Sequence, residues 1–500
     1  MCGIAGIFTP SGSNLDYLDF SIRLMTKSLE HRGPDSSDYW VQHDGTLALG
    51  HQRLAVEDLS IAGSQPMFSP SGQLVLTFNG EIYNHKEIRS QLEREKLAPR
   101  WKGTSDTETL AVALEAWGIK RTLSKLSGMF ACGVWDRKNR VLNLFRDRMG
   151  EKPLYFGWCG GKFYFASELR AIEKLPDVDL TIDADSLGLF LRYTYVPGPR
   201  TIYLELNKLP PGCYACISAD NGFPLNMYNY WSILDCAYGG QAAPFKGDDV
   251  DAQSELERLL SKSVGHMMSA DVPVGAFLSG GVDSCGVVSE MARLSPHPVQ
   301  TFTLGFGEPG YDETTHARLI SQRLGTDHHE AIITEDDALR VVPELGQIYD
   351  EPFADSSQIP TLLISRAARQ HVTVALTGDG GDEIFGGYPR HTSATCWRNR
   401  MARYPNWMRQ SLGDVMNWAV AITVHATSRR VIPGTHNGLR KLAKISNILS
   451  SSTLGELYSE WVTHWRPVDG ILRQNNCKKL ATDGMHSLDP VLSKIGRSLM

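Results

Sequence analysis

The chain opens with a cysteine at its second position, in the segment MCGIAGIF. A small second residue permits removal of the initiator methionine, which would leave Cys2 with both a thiol and a free α-amine. An α-amine titrates with a pKa of about 8, so near neutral pH part of it is unprotonated and can act as a base. Cys2 alone therefore predicts either a nucleophile that carries its own base or a buried strand thiol.

Three downstream segments carry side chains that such a nucleophile would need. Arg53, in HQRLA, offers a planar guanidinium for a carboxylate. Asn79 and Gly80 follow a strand-like run and supply the amide and backbone N–H donors of an oxyanion hole, although a hairpin turn is the alternative. Asp106, in TSDTE, lies at a predicted helix start, where its carboxylate either meets an ammonium group or caps the helix.

The second half of the chain contains two glycine-rich segments that follow apolar runs. SGGVDS at residues 279–284 precedes a predicted helix, and such N–H groups attract phosphate. The segment lacks the G-x-x-x-x-G-K-[ST] pattern of a Walker loop. TGDGGDEIFGGY at residues 377–388 brings three carboxylates to the expected carboxyl end of a parallel sheet, which favours Mg²⁺ over the alternative of an acidic surface loop. DEPFADSS at residues 350–357 is a pocket wall or a plain loop.

The elements that must position these residues differ between the two halves. Short strand-like runs at residues 74–78, 141–145 and 163–166 alternate with two helical patterns and predict an antiparallel α+β domain. After residue 250, short apolar strands alternate with helices, which predicts a parallel sheet with helices on both faces. Residues beyond about 395 are predicted to be mostly helical.

Composition limits the class of protein. The 500 residues are 42% hydrophobic and 21% charged with a net charge of −6, which favours two or three domains and no nucleic-acid or membrane partner. Apolar runs stay well short of the roughly 20 residues of a membrane span. Nine cysteines without paired spacing fit a reducing compartment, so the prediction is a cytoplasmic protein.

Together with HRGPD at residues 31–35, RDRMGEKPLY at 146–155 and FASE at 165–168, the N-terminal segments resemble the N-terminal-nucleophile (Ntn) glutaminase domain of class II glutamine amidotransferases. The resemblance implies stacked antiparallel sheets and attack of Cys2 on the side-chain amide of glutamine. It implies that Asn79 and Gly80 hold the oxyanion of the tetrahedral intermediate. It also implies that Arg53 binds the α-carboxylate of glutamine and that Asp106 with Glu81 binds its α-ammonium group. Ammonia leaves, and water hydrolyses the thioester to glutamate.

The 279–284 loop resembles that of ATP pyrophosphatases (adenine nucleotide α-hydrolase-like), and a glutaminase followed by this loop resembles the glutamine-hydrolysing asparagine synthetases. That family implies ATP and Mg²⁺, a β-aspartyl-AMP intermediate, and amidation of aspartate by ammonia from an internal tunnel. Asp379 becomes the candidate for adenylation and ammonia attack, and Asp283 and Asp382 the metal ligands. The implied ATP and pyrophosphate contacts are Ser279, Gly280, Gly281, Asp283, Ser284, Leu304, Thr377 and Gly378.

The resemblance predicts a glutaminase domain over residues 2–210 and a synthetase domain over 250–500. Residues 211–249 are a linker or an extension of the first domain, because residues 213–217 could form a strand. Two departures matter. Asp379 stands where well-known members carry Glu, and the helical segment with a pyrophosphate-contacting Lys is not found before Met500. The second departure predicts a truncated chain or an impaired synthetase half.

Three functions therefore stay open. The first is glutamine-dependent asparagine synthesis, in which glutamine, ATP and aspartate are the binding partners. The second keeps the mechanism but uses another carboxylate, such as a uronic acid of a surface polysaccharide or a β-lactam precursor. The third is a chain that only hydrolyses glutamine or has a regulatory role. A homodimer is one alternative for the oligomeric state.

Overall fold

The computed structural model describes residues 1–220, 223–306, 313–401, 403–427, 435–451 and 453–465. Its first part contains two six-stranded antiparallel sheets, in the orders β10-β8-β9-β1-β3-β2 and β12-β11-β7-β6-β5-β4. The strands are β1 (Gly3–Phe8), β2 (Ser36–Val41), β3 (Leu47–Arg53), β4 (Met67–Phe68), β5 (Leu74–Ile82), β6 (Gly128–Asp136), β7 (Val141–Arg146), β8 (Tyr155–Cys159), β9 (Lys162–Ala166), β10 (Leu206–Lys208), β11 (Cys213–Ser218) and β12 (Asn226–Asn229).

The two sheets stack face to face over a core of large apolar side chains. Phe8 of β1 and Phe165 of β9 come from the first sheet, and Val75 of β5 and Trp135 of β6 come from the second. All four side chains are fully buried, because alternate residues of each strand point between the sheets. This core confirms the predicted α+β fold with stacked antiparallel sheets.

Helices cover the outer faces of both sheets. Helix α1 (Leu15–Ser28) buries Leu18, Ile22 and Met25, which share one face at a spacing of three and four residues, against the first sheet. Helices α2 (His85–Arg94) and α3 (Asp106–Lys125) cover the second sheet. Short helices α4 (Arg170–Glu173), α5 (Ala184–Tyr193) and α6 (Ile233–Ala242) follow.

The segment that could have been a linker includes two strands of the second sheet. Strand β11 pairs with β7 and β12 pairs with β11, both antiparallel. Cys213 and Cys216, the lone C-x-x-C pair, both lie on β11, and Cys213 is buried. Residues 213–229 therefore continue the antiparallel architecture.

A four-stranded parallel sheet follows, in the order β15-β14-β13-β16, as the alternation of strands and helices predicts. Ala276 and Leu278 pack toward Val264 and Val288 on one face. Phe302 packs toward Ile364 on the other, so helices cover both faces. The elements are α7 (Asp249–Met267), β13 (Val274–Phe277), α8 (Val282–Leu294), β14 (Gln300–Phe306), α9 (Thr314–Leu324), β15 (Asp327–Ile333), α10 (Glu335–Val341), α11 (Leu345–Ile348), α12 (Gln358–Ala368) and β16 (Val374–Leu376).

The chain divides into two compact units. The first comprises residues 1–187 and 195–378, and so contains all three sheets. The second comprises residues 188–194 and 379–500, and its described part is helical, as predicted. Its small core contains Ala394, Met401, Ile448 and Leu457. Its helices are α13 (Gly381–Phe385), α14 (Pro389–Met401), α15 (Asn406–Thr427), α16 (Thr435–Ser450) and α17 (Leu454–Val462).

Within the described ranges, no helix has the length and apolar character that a membrane crossing requires.

Candidate active site

A cavity of about 300 Å³ lies beside Cys2, which immediately precedes β1. Arg53 reaches it from the last position of β3, Asn79 and Gly80 from β5, and Asp106 from the first turn of α3. The structure thus brings together, in one cavity, every residue that was predicted for glutamine hydrolysis. Its lining comprises Met1, Cys2, Arg53, Leu54, Val56, Glu57, Gly63, Gln65, Phe78, Asn79, Gly80, Glu81, Ser105, Asp106, Thr107, Met129, Lys152, Thr373, Val374 and Ala375.

The terminal amine loses the proton that it mostly carries in neutral water, whereas the thiol keeps its proton. Burial raises the pKa of the Cys2 thiol, which donates to the Leu54 carbonyl oxygen at 3.6 Å. Burial lowers the pKa of the Met1 amine to about 5, and the charges of Arg32 and Lys152 act in the same direction. At neutral pH the site therefore contains a protonated thiol and a neutral amine, which is the pairing that a general base and a nucleophile require.

Asn79 is fully buried, and neither its amide nitrogen nor its amide oxygen has a hydrogen-bond partner among the residues that the structure describes. Asn79 and Gly80 lie inside β5, paired with Ala131 and Phe130, so the alternative of a hairpin turn is wrong. A Cβ atom on Gly80 would lie 2.1 Å from the Met129 carbonyl oxygen, so the neighbouring strand requires glycine here. Buried polar atoms without partners are rare and costly, which is typical of donors that await a ligand.

The guanidinium of Arg53 is fixed by the loop that follows β3. Its Nη1 donates to the Ser60 carbonyl oxygen at 2.9 Å, and its Nη2 donates to the Asp58 carbonyl oxygen. A Cβ atom on Gly63 would lie 2.1 Å from Nη2, so only glycine leaves room for the guanidinium. A carboxylate that enters the cavity would therefore meet a preoriented cation.

The same loop is anchored from the parallel-sheet half. The Asp58 carboxylate accepts the backbone N–H groups of Thr104 and Ser105 at 2.8 and 3.2 Å, which ties the loop to the start of α3. The Asp58 N–H donates to the Asp271 carboxylate at 2.8 Å, and the Asp271 N–H donates to the Val56 carbonyl oxygen at 2.9 Å. The position of Arg53 consequently depends on both halves of the first compact unit.

Two carboxyl groups in the cavity bind protons more tightly than usual. Burial raises the pKa of Glu81 to about 7, repulsion from Asp106 adds to this, and Lys152 opposes it. Burial and the charge of Glu57 also raise the pKa of Asp106, whose Oδ2 accepts the Ile82 N–H at 2.9 Å. A bound ammonium group would relieve both effects, because it supplies the missing positive charge.

The alternative that Asp106 caps the helix is wrong. Ser105 is the N-cap of α3, and its hydroxyl accepts the Thr107 N–H at 3.1 Å. The Asp106 carboxylate instead points to the cavity and is less free than predicted, because it also holds the Ile82 N–H.

Several lining residues had no predicted role. Lys152 lies in the RDRMGEKPLY segment at residues 146–155. It is buried beside Met1, and its Nζ donates to the Met1 Sδ at 3.0 Å, a contact that only the tertiary structure shows. Gln65 links β5 to α3: its Oε1 accepts the Phe78 N–H at 2.7 Å and its Nε2 donates to Thr107 at 3.3 Å. Residues 373–375 belong to the edge of the parallel sheet, so the cavity extends to that half.

The predicted phosphate loop joins β13 to α8, as expected. The Ser279 and Ser284 hydroxyl oxygens lie 2.8 Å apart, and the Gly281 N–H donates to the Ser279 hydroxyl at 3.1 Å. Gly281 is the N-cap of α8, and among the described residues no side chain caps this helix. The first N–H groups of α8 are therefore available to an anion.

The loop meets the end of β16 at one edge of the parallel sheet. A Cβ atom on Gly378 would lie 2.7 Å from the Ser284 backbone nitrogen, so the two segments are in close contact. Thr377 precedes Gly378, and Leu304 lies near the carboxyl end of β14, the strand next to β13. Parallel strands end at the same edge, which is where α/β folds bind ligands.

The acidic part of the second glycine-rich segment belongs to the second compact unit. Asp379 is its first residue after position 378, and Asp382 lies in α13, where its carbonyl oxygen accepts the Gly387 N–H at 3.0 Å. Within the described ranges, no group of three or more His, Cys, Asp or Glu side chains could hold a metal ion. Mg²⁺ commonly binds through one or two carboxylates plus phosphate oxygens and waters. The half-buried Asp283, in the first turn of α8, fits a metal ion that arrives with phosphate.

Two family models match this chain. The model described as "Glutamine amidotransferase domain" matches residues 1–231, and the model described as "Asparagine synthase" matches residues 255–483. The chain is 33% identical over 390 residues to asparagine synthetase [glutamine-hydrolyzing] 1 of Bacillus subtilis, covering 78% of this chain and 59% of that protein. It is 34% identical over 410 residues to putative asparagine synthetase [glutamine-hydrolyzing] 2 of Methanocaldococcus jannaschii, covering 78% and 76%.

A third relative, named amidase chry2, from Gibberella zeae, is 28% identical over 423 residues, which cover 78% of this chain and 59% of that protein. An amidotransferase domain that precedes an asparagine synthase domain defines the class of the chain. It belongs to the glutamine-hydrolysing asparagine synthetase family. The chain spans 59% of the length of the Bacillus relative.

Proposed function

We propose that the chain hydrolyses glutamine at Cys2 and uses the ammonia to convert aspartate to asparagine at the expense of ATP. The observation that carries this proposal is the convergence in one cavity of the half-buried Cys2 thiol, a neutral amine and the amide of Asn79, which has no hydrogen-bond partner among the described residues. Their arrangement supports the glutaminase step directly. The second domain and the relatives support the choice of acceptor.

In the proposed glutaminase step, Met1 is removed and the α-amine of Cys2 occupies a buried, cationic environment like that of the Met1 amine. The neutral amine takes the thiol proton while Sγ attacks the side-chain amide carbon of glutamine. The Asn79 Nδ2 and the Gly80 N–H donate to the resulting oxyanion. The amine returns the proton to the leaving nitrogen, ammonia departs, and water hydrolyses the thioester to glutamate.

Glutamine is proposed to be oriented by its α-substituents. Arg53 pairs with the α-carboxylate, since the loop already holds its guanidinium toward the cavity. Glu81 and Asp106 receive the α-ammonium group, and Asn79 and Gly80 contact the side-chain amide. Ionic contacts with both α-substituents of glutamine would fix the distance between its side-chain amide carbon and Sγ.

The glutaminase step is proposed for the domain of residues 2–210, and the synthetase step for the domain of residues 250–500. Ser279, Gly280, Gly281 and Ser284 would hold the phosphates of ATP, and Leu304, Thr377 and Gly378 the nucleotide. The aspartate β-carboxylate attacks the α-phosphorus and releases pyrophosphate, and ammonia then displaces AMP. Mg²⁺ at Asp283 and Asp382 would offset phosphate charge, and Asp379 would act near the adenylated carboxylate. The proposed setting is the cytoplasm.

Another carboxylate acceptor is the second candidate. The Asp379 side chain is one methylene shorter than Glu, which moves a carboxylate near the acceptor by about 1.5 Å. The relative named amidase chry2 shows that similar chains do not all carry the synthetase name. This alternative leaves the glutaminase step unchanged.

One incubation separates these proposals. Purified protein receives glutamine, Mg-ATP and aspartate, and glutamate, pyrophosphate and asparagine are measured. All three products support asparagine synthesis, whereas pyrophosphate that requires a different carboxylate supports the second candidate. Glutamate alone would contradict both ligase proposals, and absence of glutamate would contradict the glutaminase. The Cys2→Ala variant with ammonia in place of glutamine provides the control, because it bypasses Cys2.

A further inference from the structure

The main chain of Cys2 is tied to a buried ion pair. Its carbonyl oxygen accepts the Arg32 Nε–H at 2.9 Å, and the Arg32 Nη1 donates to Glu168 Oε1 at 2.8 Å. The side chains of Arg32 and Glu168 are 9% and 8% exposed, so water screens this pair weakly. Arg32 therefore holds the main chain of Cys2, while the Cys2 thiol contacts Leu54.

The ion pair continues toward the parallel-sheet half. Glu168 Oε2 lies 2.9 Å from the Arg170 Nε, and that nitrogen lies 3.2 Å from Asp350 Oδ1. Asp350 also accepts the backbone N–H groups of Leu169 and of Arg170, the latter at 2.9 Å. The side chains of Arg170 and Asp350 are 19% and 10% exposed. Four alternating charges thus join the segment after β9 to the segment after α11.

Such a chain is balanced only while every member is present. Glu168 is shared among His31, Arg32 and Arg170, with His31 Nε2 at 3.0 Å from Glu168 Oε1. Arg170 is shared between Glu168 and Asp350. If Asp350 lost its charge, Arg170 would pair more fully with Glu168, and the hold of Glu168 on Arg32 would weaken. A buried charge left without a partner rearranges its surroundings or its protonation, because desolvation is expensive.

We propose that Asp350 is a positioning residue for glutamine hydrolysis, and that it acts through Arg170, Glu168 and Arg32 on the main chain of Cys2. The inference rests on the proposed glutaminase function, and it adds a residue from the parallel-sheet half to that reaction. The DEPFADSS segment, which was predicted to be a pocket wall or a plain loop, thereby contributes to the nucleophile's placement.

The adjacent residue provides a matched control. Glu351 also reaches across to the antiparallel half, where it accepts the Ile202 N–H at 2.9 Å and pairs with Lys208 at 2.5 Å. Its exposed fraction of 11% is close to that of Asp350, but neither of these contacts involves the Arg32–Glu168 pair. Asp350→Asn and Glu351→Gln therefore each remove one buried carboxylate charge from the same segment.

The test measures glutamate release by the full chain at saturating and limiting glutamine. Asp350→Asn is expected to lower kcat about tenfold with KM for glutamine within about twofold, because the nucleophile is displaced while Arg53, Glu81 and Asp106 are unchanged. Glu351→Gln is expected to keep both constants within about twofold. Arg170→Met should match Asp350→Asn, and the double variant should lose no more than the larger single loss, since members of one network are not additive.

Equal kcat for Asp350→Asn and the unchanged protein would overturn the inference, as would additive losses in the double variant. Equal losses in Asp350→Asn and Glu351→Gln would also overturn it, because they indicate a general structural effect. If Asp350→Asn fails to fold, judged by its melting temperature, Arg170→Met decides the question alone. No glutamate from the unchanged protein would overturn the glutaminase proposal itself, and this inference with it.

Discussion

The cavity beside Cys2 and the loop between β13 and α8 differ in the groups that they present to a ligand and in how deeply these groups are buried. The cavity is lined by side chains such as Asn79 and Asp106, which are buried within strands or at a helix start. The loop presents backbone N–H groups at an open edge, where the Val282 side chain is 87% exposed. The first region is complete within one compact unit, whereas Asp379 and Asp382, two of the acidic residues predicted to serve the second, belong to the other unit.

The difference follows from what each reaction step needs. Attack on an amide requires a desolvated thiol and donors fixed in advance at the oxyanion, so the cavity must be built by the core. A phosphate brings its own charge and can be held by N–H groups at a helix start, so the loop can stay open until it is bound. Variants in the two regions should therefore fail in different assays.

The largest effect is expected for Cys2→Ala. Loss of the nucleophile should reduce glutamate release by more than about 10³-fold, because no other thiol lines the cavity among the described residues. Cys216→Ala, a half-buried thiol on β11, serves as the control and should retain activity. Hydrolysis that survives in Cys2→Ala would contradict the assignment of the nucleophile.

Asn79→Ala is expected to lower kcat for glutamate release by about 10²- to 10³-fold, as is typical when an oxyanion donor is removed. Its melting temperature should change little, because the Asn79 amide has no hydrogen-bond partner among the described residues. Asn143→Ala, a buried amide of β7, is the control for kcat. Normal kcat together with a large fall in melting temperature would instead assign Asn79 to the core.

Gly378→Ala should weaken ATP binding by about tenfold, because its Cβ would lie 2.7 Å from the Ser284 nitrogen and push the loop away from β16. Gly286→Ala, inside α8, is the matched control, since its Cβ would approach only Leu260, at 4.0 Å. Nucleotide affinity can be measured by calorimetry. Nucleotide affinity of Gly378→Ala equal to that of the unchanged protein would contradict a role for Gly378 at the nucleotide site, and equal weakening in Gly286→Ala would indicate a general structural effect.

The smallest effect concerns pH. Burial raises the pKa of Glu81 to about 7, so this carboxyl becomes neutral as the pH falls through that value and attracts the α-ammonium group of glutamine less. KM for glutamine should therefore rise a few-fold between about pH 8 and pH 6. The Glu81→Gln variant should have a raised KM that no longer changes over this range. A pH-dependent KM that persists in Glu81→Gln would assign the titration to another group.

Much of the architecture was predictable because its periodicity is local. The spacing of Leu18, Ile22 and Met25 predicts α1, and the apolar runs after residue 250 predict the parallel sheet. The sequence does not decide whether residues 213–217 form a strand, since a short run with two cysteines does not show which strand it pairs with. Pairing with β7 depends on a partner about 70 residues away.

The candidate site was predictable where the type of a residue and its motif indicate its role. It was not predictable where contacts between distant segments position the residue. Cys2, Arg53 and Asn79 were predicted from residue type and from the family resemblance. The anchoring of Asp58 by Asp271 and of Arg170 by Asp350 was not, because each joins residues more than 170 positions apart. The burial that raises the pKa of Glu81 also depends on the packed cavity, so the sequence does not predict it.

The proposed role of Cys2, with a free α-amine, as the glutaminase nucleophile can be tested without an activity assay. Its most direct measurement is peptide mass spectrometry of the protein after treatment with a diazoketone analogue of glutamine. We expect an N-terminal peptide that begins at Cys2 and carries a single adduct on its sulfur, with protection by excess glutamine. Retention of Met1 in active protein, or inactivation without an adduct on Cys2, would contradict it.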